Sequence, residues 1–214
     1  DGIEVFNKEK YYLLKTNVKI ISDEYELNAD LVKAYFDKDL YDIIKIYSEE
    51  DVILVSNDGM TVLGNKVDYN VKNQDIYIHG QNSFLESSKF IMKSDGFISV
   101  NNTTGEFKLL GANSQLISSD IEIVGEDIEG RYINVDGENI VEKLNVTDKK
   151  QVNIKTETSN MFSMKAKFNR QNNIIELFEK VKIIRDNELI TGDYAKINTV
   201  DESYKVISNK SNKY

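Results

Sequence analysis

His79 is the single histidine of this 214-residue chain, and there is no cysteine. One imidazole without thiols falls short of the donor sets that hold structural zinc or haem. A serine–histidine–aspartate triad would have to use His79, and no nucleophile elbow is present to supply its partner. No glycine-rich loop leaves a strand to open a helix, which removes the P-loop and the dinucleotide fingerprint. Carboxylates are abundant, 36 Asp and Glu in all, so a glycosidase-like acid pair is compatible with the composition. The run Glu49-Glu50-Asp51, however, reads as a solvated turn. Asp30, Asn65 and Asp193 recur at matching places in a repeated pattern, and recurrence favours a register device over catalysis, because a catalytic group is needed once. The expectation is a protein that is not an enzyme and has no metal, cofactor or catalytic residue.

The elements that position these residues read as strands. In "FSMKAKF" (162–168), Phe162, Met164, Ala166 and Phe168 alternate with polar residues, the period of a strand with one wet face. Shorter alternations hold Ile76 and Ile78, Ile121 and Ile123, Phe107 and Leu109, and Val152 and Ile154. Turn signals lie between them: Asn57-Asp58-Gly59, Ser94-Asp95-Gly96, Thr104-Gly105, Asp136-Gly137 and Asn172-Asn173. Segments 29–47 and 172–184 could be drawn as amphipathic helices in isolation. Internal repetition decides for strands, because "NADLVKAYF" (28–36) fills the slot of "TGDYAKINT" (191–199), whose glycine and β-branched residues suit a helix poorly.

That repetition extends along the chain. "VKIISDEYELNADLVKA" (18–34) matches "VKIIRDNELITGDYAKI" (181–197) at Val18/Val181, Ile20/Ile183, Asp30/Asp193 and Lys33/Lys196. "YNVKNQDIYI" (69–78) matches "FNRQNNIIEL" (168–177), and "VNNTTGEFKLLG" (100–111) matches "INTVDESYKVIS" (197–208). The chain is a near-tandem, with halves at 1–115 and 116–214, and the absence of a linker between them argues for one continuous all-β stack.

Composition sets outer limits. With 40% hydrophobic residues the chain can bury a sizeable core. A net charge of −9 repels nucleic-acid phosphates and anionic membranes, and Lys205, Lys210 and Lys213 are too sparse to make a basic patch. No run reaches the ~18 apolar residues that span a bilayer. Opening at Asp1 rather than Met fits a removed signal peptide or a membrane anchor ahead of it. Proline is absent, so edge strands lack one common device against strand pairing. The apolar face could be the core of a sandwich or, in an open roll, a lipid-sized groove. Alternation alone does not separate these, and plain core is the simpler reading of the residues.

The serial order of the units resembles a known family. "VKI…LNADLVKAYF", "VILV…VLGNKVDYNVKNQDIYIHG" and "AKFNRQNNIIELFEKVKIIRDNELITGDYAKINTVDESYKVIS" look like the OstA-like repeats of the LptA/LptC family of lipopolysaccharide-transport bridge proteins. Ala29-Asp30, Gly64-Asn65 and Gly192-Asp193 fill that family's small-residue–Asp step. Thr16-Asn17-Val18 and Glu179-Lys180-Val181 stand at its Gly-Asn-Val step, without the glycine. The likeness covers about residues 3 to 208.

The resemblance implies an elongated, twisted, open β-jelly-roll built from tandem OstA-like repeats. It implies a periplasmic protein that carries the lipid A acyl chains of lipopolysaccharide between inner and outer membranes. Its implied partners are other OstA-like transport proteins joined end to end by β-augmentation, with homo-oligomers formed the same way. The groove-lining positions expected on this basis are Val18, Ile20, Leu63, Val67, Ile76, Ile78, Phe162, Met164, Ala166, Phe168, Ile175, Leu177, Val181 and Ile183. A structural or adhesive β-repeat protein with a closed core and no lipid ligand is the alternative.

Overall fold

A computed structural model describes residues 2–57, 59–87, 90–135, 138–185 and 188–208. The expected turn residues Asp58, Asp136 and Gly137, together with Lys210 and Lys213, lie outside them. The described chain is all β. Its strands are β1 (Ile3–Phe6), β2 (Tyr11–Ile21), β3 (Tyr25–Phe36), β4 (Ile43–Ser56), β5 (Thr61–Asn70), β6 (Ile76–His79), β7 (Ser83–Glu86) and β8 (Phe90–Ser94). They continue as β9 (Phe97–Val100), β10 (Glu106–Ser118), β11 (Glu122–Val135), β12 (Glu138–Lys155), β13 (Asn160–Asn169), β14 (Ile174–Arg185), β15 (Glu188–Asn198) and β16 (Tyr204–Ile207). Neither helix-like segment is helical, as the repeat required: 29–47 is the end of β3, a turn at 37–42 and the start of β4, and 172–184 is a turn leading into β14.

Every pairing is antiparallel and nearly every neighbour in space is the neighbour in sequence, so the ladder is a meander from β1 to β16. With about 4.8 Å between strands, this ladder runs roughly 60 Å from end to end. The position 115/116, where the sequence repeats suggest a boundary, falls inside β10, which pairs with β8, β9 and β11.

Most strands are too long for one flat sheet, and each is bent at a corner near its middle. On one side of the corners lie β1, β6, β9, β16 and the halves 31–36 of β3, 165–169 of β13 and 174–178 of β14. On the other side lie β7, β8 and the halves 25–29, 160–163 and 181–184 of the same strands. The ladder thus folds along its length into two facing sheets that share one apolar interior, the two-layer arrangement of a β-jelly-roll.

The corners explain the repeats. In β2, β4 and β14 two consecutive residues take left-handed backbone: Thr16 (φ 70°) with Asn17 (50°), Glu50 (65°) with Asp51 (50°), and Glu179 (64°) with Lys180 (52°). Each pair opposes a single residue of the next strand, Asp30, Asn65 or Asp193 respectively, and each precedes a buried valine, Val18, Val52 or Val181. These are β-bulges, which bend a strand and raise its local twist. The Asp30 carboxylate accepts the freed Asn17 N–H at 3.3 Å. The residue before this Asp or Asn is small, and at Gly64 a Cβ would stand 2.5 Å from Ile78 Cγ2.

Asp30, Asn65 and Asp193 are therefore register devices. The Glu49-Glu50-Asp51 run proves to be a corner inside β4 rather than a hairpin turn, and Ser94-Asp95-Gly96 is likewise the corner between β8 and β9. Buried serines tie several corners by donating to nearby backbone carbonyls: Ser83 to Gly80 O at 2.8 Å, Ser114 to Gly111 O at 2.8 Å and Ser163 to Lys165 O at 2.9 Å.

Candidate functional site: the interior between the two sheets

The interior is built from one residue in two along each strand, and a single cluster of buried side chains runs through it from Val18 to Ala195. Of the expected lining positions, Val18, Val67, Ile76, Ile78, Ala166, Phe168, Ile175, Leu177, Val181 and Ile183 point into this space and are buried. Ile20 packs against it partly buried.

Three positions face the other way. Leu63 is 37% exposed, while its neighbour Val62 is fully buried. Phe162 and Met164 lie on the outer side, and Met161 and Ser163 are the buried residues of that stretch. The reason is the corner. In β5 and β13 it adds one residue, so inward positions run Val62 then Val67, and Met161, Ser163 then Ala166. A shift of one residue exchanges the faces of everything beyond it. The alternation of 162–168 is continuous in sequence, but the register breaks between Phe162 and Lys165. The same flip in β3, from Leu27 and Ala29 to Val32, Ala34 and Phe36, makes that strand's parity unreadable without its partner.

Positions that alternation alone did not single out include Leu54, Ile98, Leu116 and Ile128, all with no exposed surface. Ile98 sits in "FISV", too short a run to show a period, and its register is given only by its partners Ile78 and Leu109.

Opposite the corners the hairpin ends of the two sheets form two lips, and contacts between them close the interior in two chemically different ways. Toward the N-terminal part the closure is aromatic. Tyr25 meets Tyr69 edge-on with ring centroids 6.1 Å apart, and Phe90 meets Tyr132 at 5.6 Å. Burial pushes the phenols of Tyr25 and Tyr132 above their ordinary range. The Tyr132 hydroxyl hydrogen-bonds Asn102 Oδ1.

Toward the C-terminal part the closure is ionic. Arg170 Nη2 reaches Asp120 Oδ2 at 2.6 Å, and Arg185 pairs with Glu202. Between these two pairs the sheets part enough to leave a cavity of about 330 Å³. Ile121, Met161, Phe168, Ile175 and Ile197 form its apolar floor, and Thr158, Asn173, Thr199 and Val200 its rim.

His79 ends β6, as expected from the glycine that follows it, and its ring lies 4.8 Å from that of Phe97. Among the described residues no group of three or more His, Asp or Glu side chains is placed to hold a metal ion. No helix among them is long and apolar enough to cross a membrane.

The ladder ends differ from its middle. β1 covers only the 11–14 half of β2, and β16 only the 194–197 half of β15. Among the described residues the backbone edges of Val18–Ile21 and Glu188–Thr191 carry no second strand, and Ile21 (70%) and Leu189 (61%) are among the most exposed apolar residues.

No protein-family model matches this sequence, and no curated protein matches it. Among solved structures the chain is similar to LptH, described as the LptA homologous periplasmic component of the conserved lipopolysaccharide transport device from Pseudomonas aeruginosa; the likeness has a TM-score of 0.47 at 9% identity and covers 58% of this chain and 85% of LptH.

Proposed function

We propose that this protein binds lipopolysaccharide in the periplasm and passes it between membranes, holding lipid acyl chains in the apolar space between its two sheets and joining transport partners end to end. The observation that carries the reading is the interior itself. One apolar cluster continues from Val18 of β2 to Ala195 of β15, and the two buried carboxylates, Asp75 and Glu142, stand outside it. Each CH₂ buried there gains about 0.8 kcal/mol, so several methylenes offset the ordering of a chain without any catalytic group. The Ala29-Asp30, Gly64-Asn65 and Gly192-Asp193 corners, which carry the sequence resemblance to OstA-like repeats, supply the physical basis for the series: each adds one more bent strand and one more length of the same interior. The uncovered edges of β2 and β15 are the places where a neighbour's strand would add, and neither contains the proline that blunts many edges.

A second reading, a structural β-repeat protein with a closed core, is favoured by one observation. Leu27, Leu54, Ile76, Ile98, Leu109 and Ile123 have no exposed surface and fill the space between the sheets. A photo-cross-linking amino acid at Phe168, compared with one at Lys167, separates the two. With lipopolysaccharide present, the transport reading expects a cross-link at 168 and none at 167. Absence of cross-links at both positions, in protein whose circular dichroism shows the folded β spectrum, leaves the closed core.

A further inference from the structure

The cavity near the C-terminal end differs from the rest of the lips in what shuts it. Where Tyr25 meets Tyr69 and Phe90 meets Tyr132, the closing side chains are 5–9% exposed and part of the core. At the cavity the closing groups are ions with substantial access to water. The side chains of Arg170 and Asp120 are 28% and 49% exposed, and those of Arg185 and Glu202 are 23% and 41% exposed.

Both pairs join one sheet to the other. Arg170 follows β13 on the lip of the first sheet and reaches the turn between β10 and β11 on the second, 50 residues away in sequence. It is held for that reach: its Nε donates to Val141 O at 2.7 Å, and its guanidinium stacks 5.4 Å from the centre of the Phe168 ring. Arg185, at the end of β14 on the second sheet, donates to both the carboxylate and the carbonyl of Glu202 on the first. Behind the pairs, Ile121, Met161, Phe168 and Ile175 belong to or border the continuous core and are at most 6% exposed.

We infer that this cavity is a lateral port that admits a single acyl chain of an amphiphile into the interior, and that Arg170–Asp120 and Arg185–Glu202 are the clasps that hold its lips together. Its volume, near the lower end of small-ligand pockets, suits one chain rather than a bundle. The rim carries both signs of charge, which leaves a polar head group in water while the apolar floor takes the tail. Exposed ion pairs suit a clasp because they are weak, up to about five-fold in equilibrium each, and are screened by salt. The aromatic closures bury apolar area and lack that salt sensitivity, so opening is confined to the C-terminal part. The port takes the acyl-chain reading as given and adds where the chain enters.

The experiment measures the lips and the lipid separately. Thr158→Cys and Val200→Cys place spin labels on opposite lips of a chain that has no native cysteine, and uptake of dansyl-undecanoic acid is followed by fluorescence. Raising NaCl from about 0.05 to 0.5 M, which shortens the screening length several-fold, is expected to lengthen the inter-lip distance and speed uptake. Asp120→Asn with Glu202→Gln should give the open distance at low salt, with uptake faster by about five-fold or more and no longer salt-dependent. Asp120→Arg combined with Arg170→Asp should return the slow rate, and this swap also guards against a variant that simply misfolds. An inter-lip distance unaffected by salt and by the neutral variants overturns the clasps. Parted lips with unchanged uptake overturn the port and leave acyl-chain binding standing. Parted lips with no uptake in any of the proteins overturn the port together with the acyl-chain reading.

Discussion

The Tyr194 hydroxyl donates to Glu176 Oε1 at 2.6 Å across the outer face of β14 and β15. That hydrogen bond, then burial and the carboxylate's charge, pushes the phenol up to about 12. The protonated form is the one the fold favours. The associated stability is therefore complete below the ordinary tyrosine value near 10 and is lost as pH rises through about 12. An alkaline titration followed by phenolate absorbance is expected to show one tyrosine ionising last, and Glu176→Gln should bring its midpoint back toward that of the other tyrosines. A Tyr194 midpoint unmoved by the variant would mean that the bond does not persist in solution. Two other carboxylates, one exposed to solvent in part and one buried, are matched in the same local way. The Lys66 ammonium holds the Glu49 carboxyl below its usual range, and Arg131 does the same for Glu142. A chain with net charge −9 thus places much of its charge in local pairs.

At the scale of the strand, the bulge is the device that makes the fold. Left-handed backbone costs an L-residue roughly 1–2 kcal/mol, and Thr16, β-branched, is the least suited of the six residues that carry it in consecutive pairs. Thr16 is exposed, so Thr16→Gly loses little packing. It is expected to stabilise the protein by about 0.5–1 kcal/mol once glycine's greater unfolded-state entropy is subtracted. A raised melting temperature in a thermal unfolding scan checks this, and a fall would mean that the Thr16 side chain contributes something the corner geometry does not reveal. The same corner explains why strand faces are hard to assign by counting. Strands of the β3, β5 and β13 kind gain one residue and change parity, whereas β4 and β14 gain two and keep it. Ile175, Leu177, Val181 and Ile183 are correctly placed by alternation because their strand is of the second kind. Leu63, Phe162 and Met164 are misplaced because theirs are of the first.

For the whole molecule, a meander in which each strand touches mainly its neighbours has stability that is a chain of local interfaces. The middle is held on both sides and the ends on one. Ile98→Ala, in the short β9 between β6 and β10, is expected to cost 2–5 kcal/mol, read as a shift in the denaturant midpoint. Ile207→Ala, in terminal β16 where the side chain is 41% exposed, should cost about 1 kcal/mol or less. Equal losses at the two sites would show that the terminal strand is buried in solution, as it would be if a second copy covered that edge. β10 pairs with β8, β9 and β11, so the hydrogen-bonded ladder passes without a break through residues 106–118.

The sequence by itself determined the all-β class and the serial repetition, because these rest on local alternation and on recurring small-residue–Asp or –Asn steps. It also made the lining legible wherever a strand keeps parity. Tertiary structure decided the rest. Which face each half-strand shows depends on how many residues the neighbour places opposite a corner, and Asp30 faces Thr16-Asn17 only once β2 and β3 pair. The run Glu49-Glu50-Asp51 looks like a solvated turn until its neighbour shows that the strand continues through it. The cavity and its clasps were invisible for the same reason. Asp120 and Arg170 lie 50 residues apart with nothing local to link them, and only the folding of one ladder into two facing sheets brings their lips within reach.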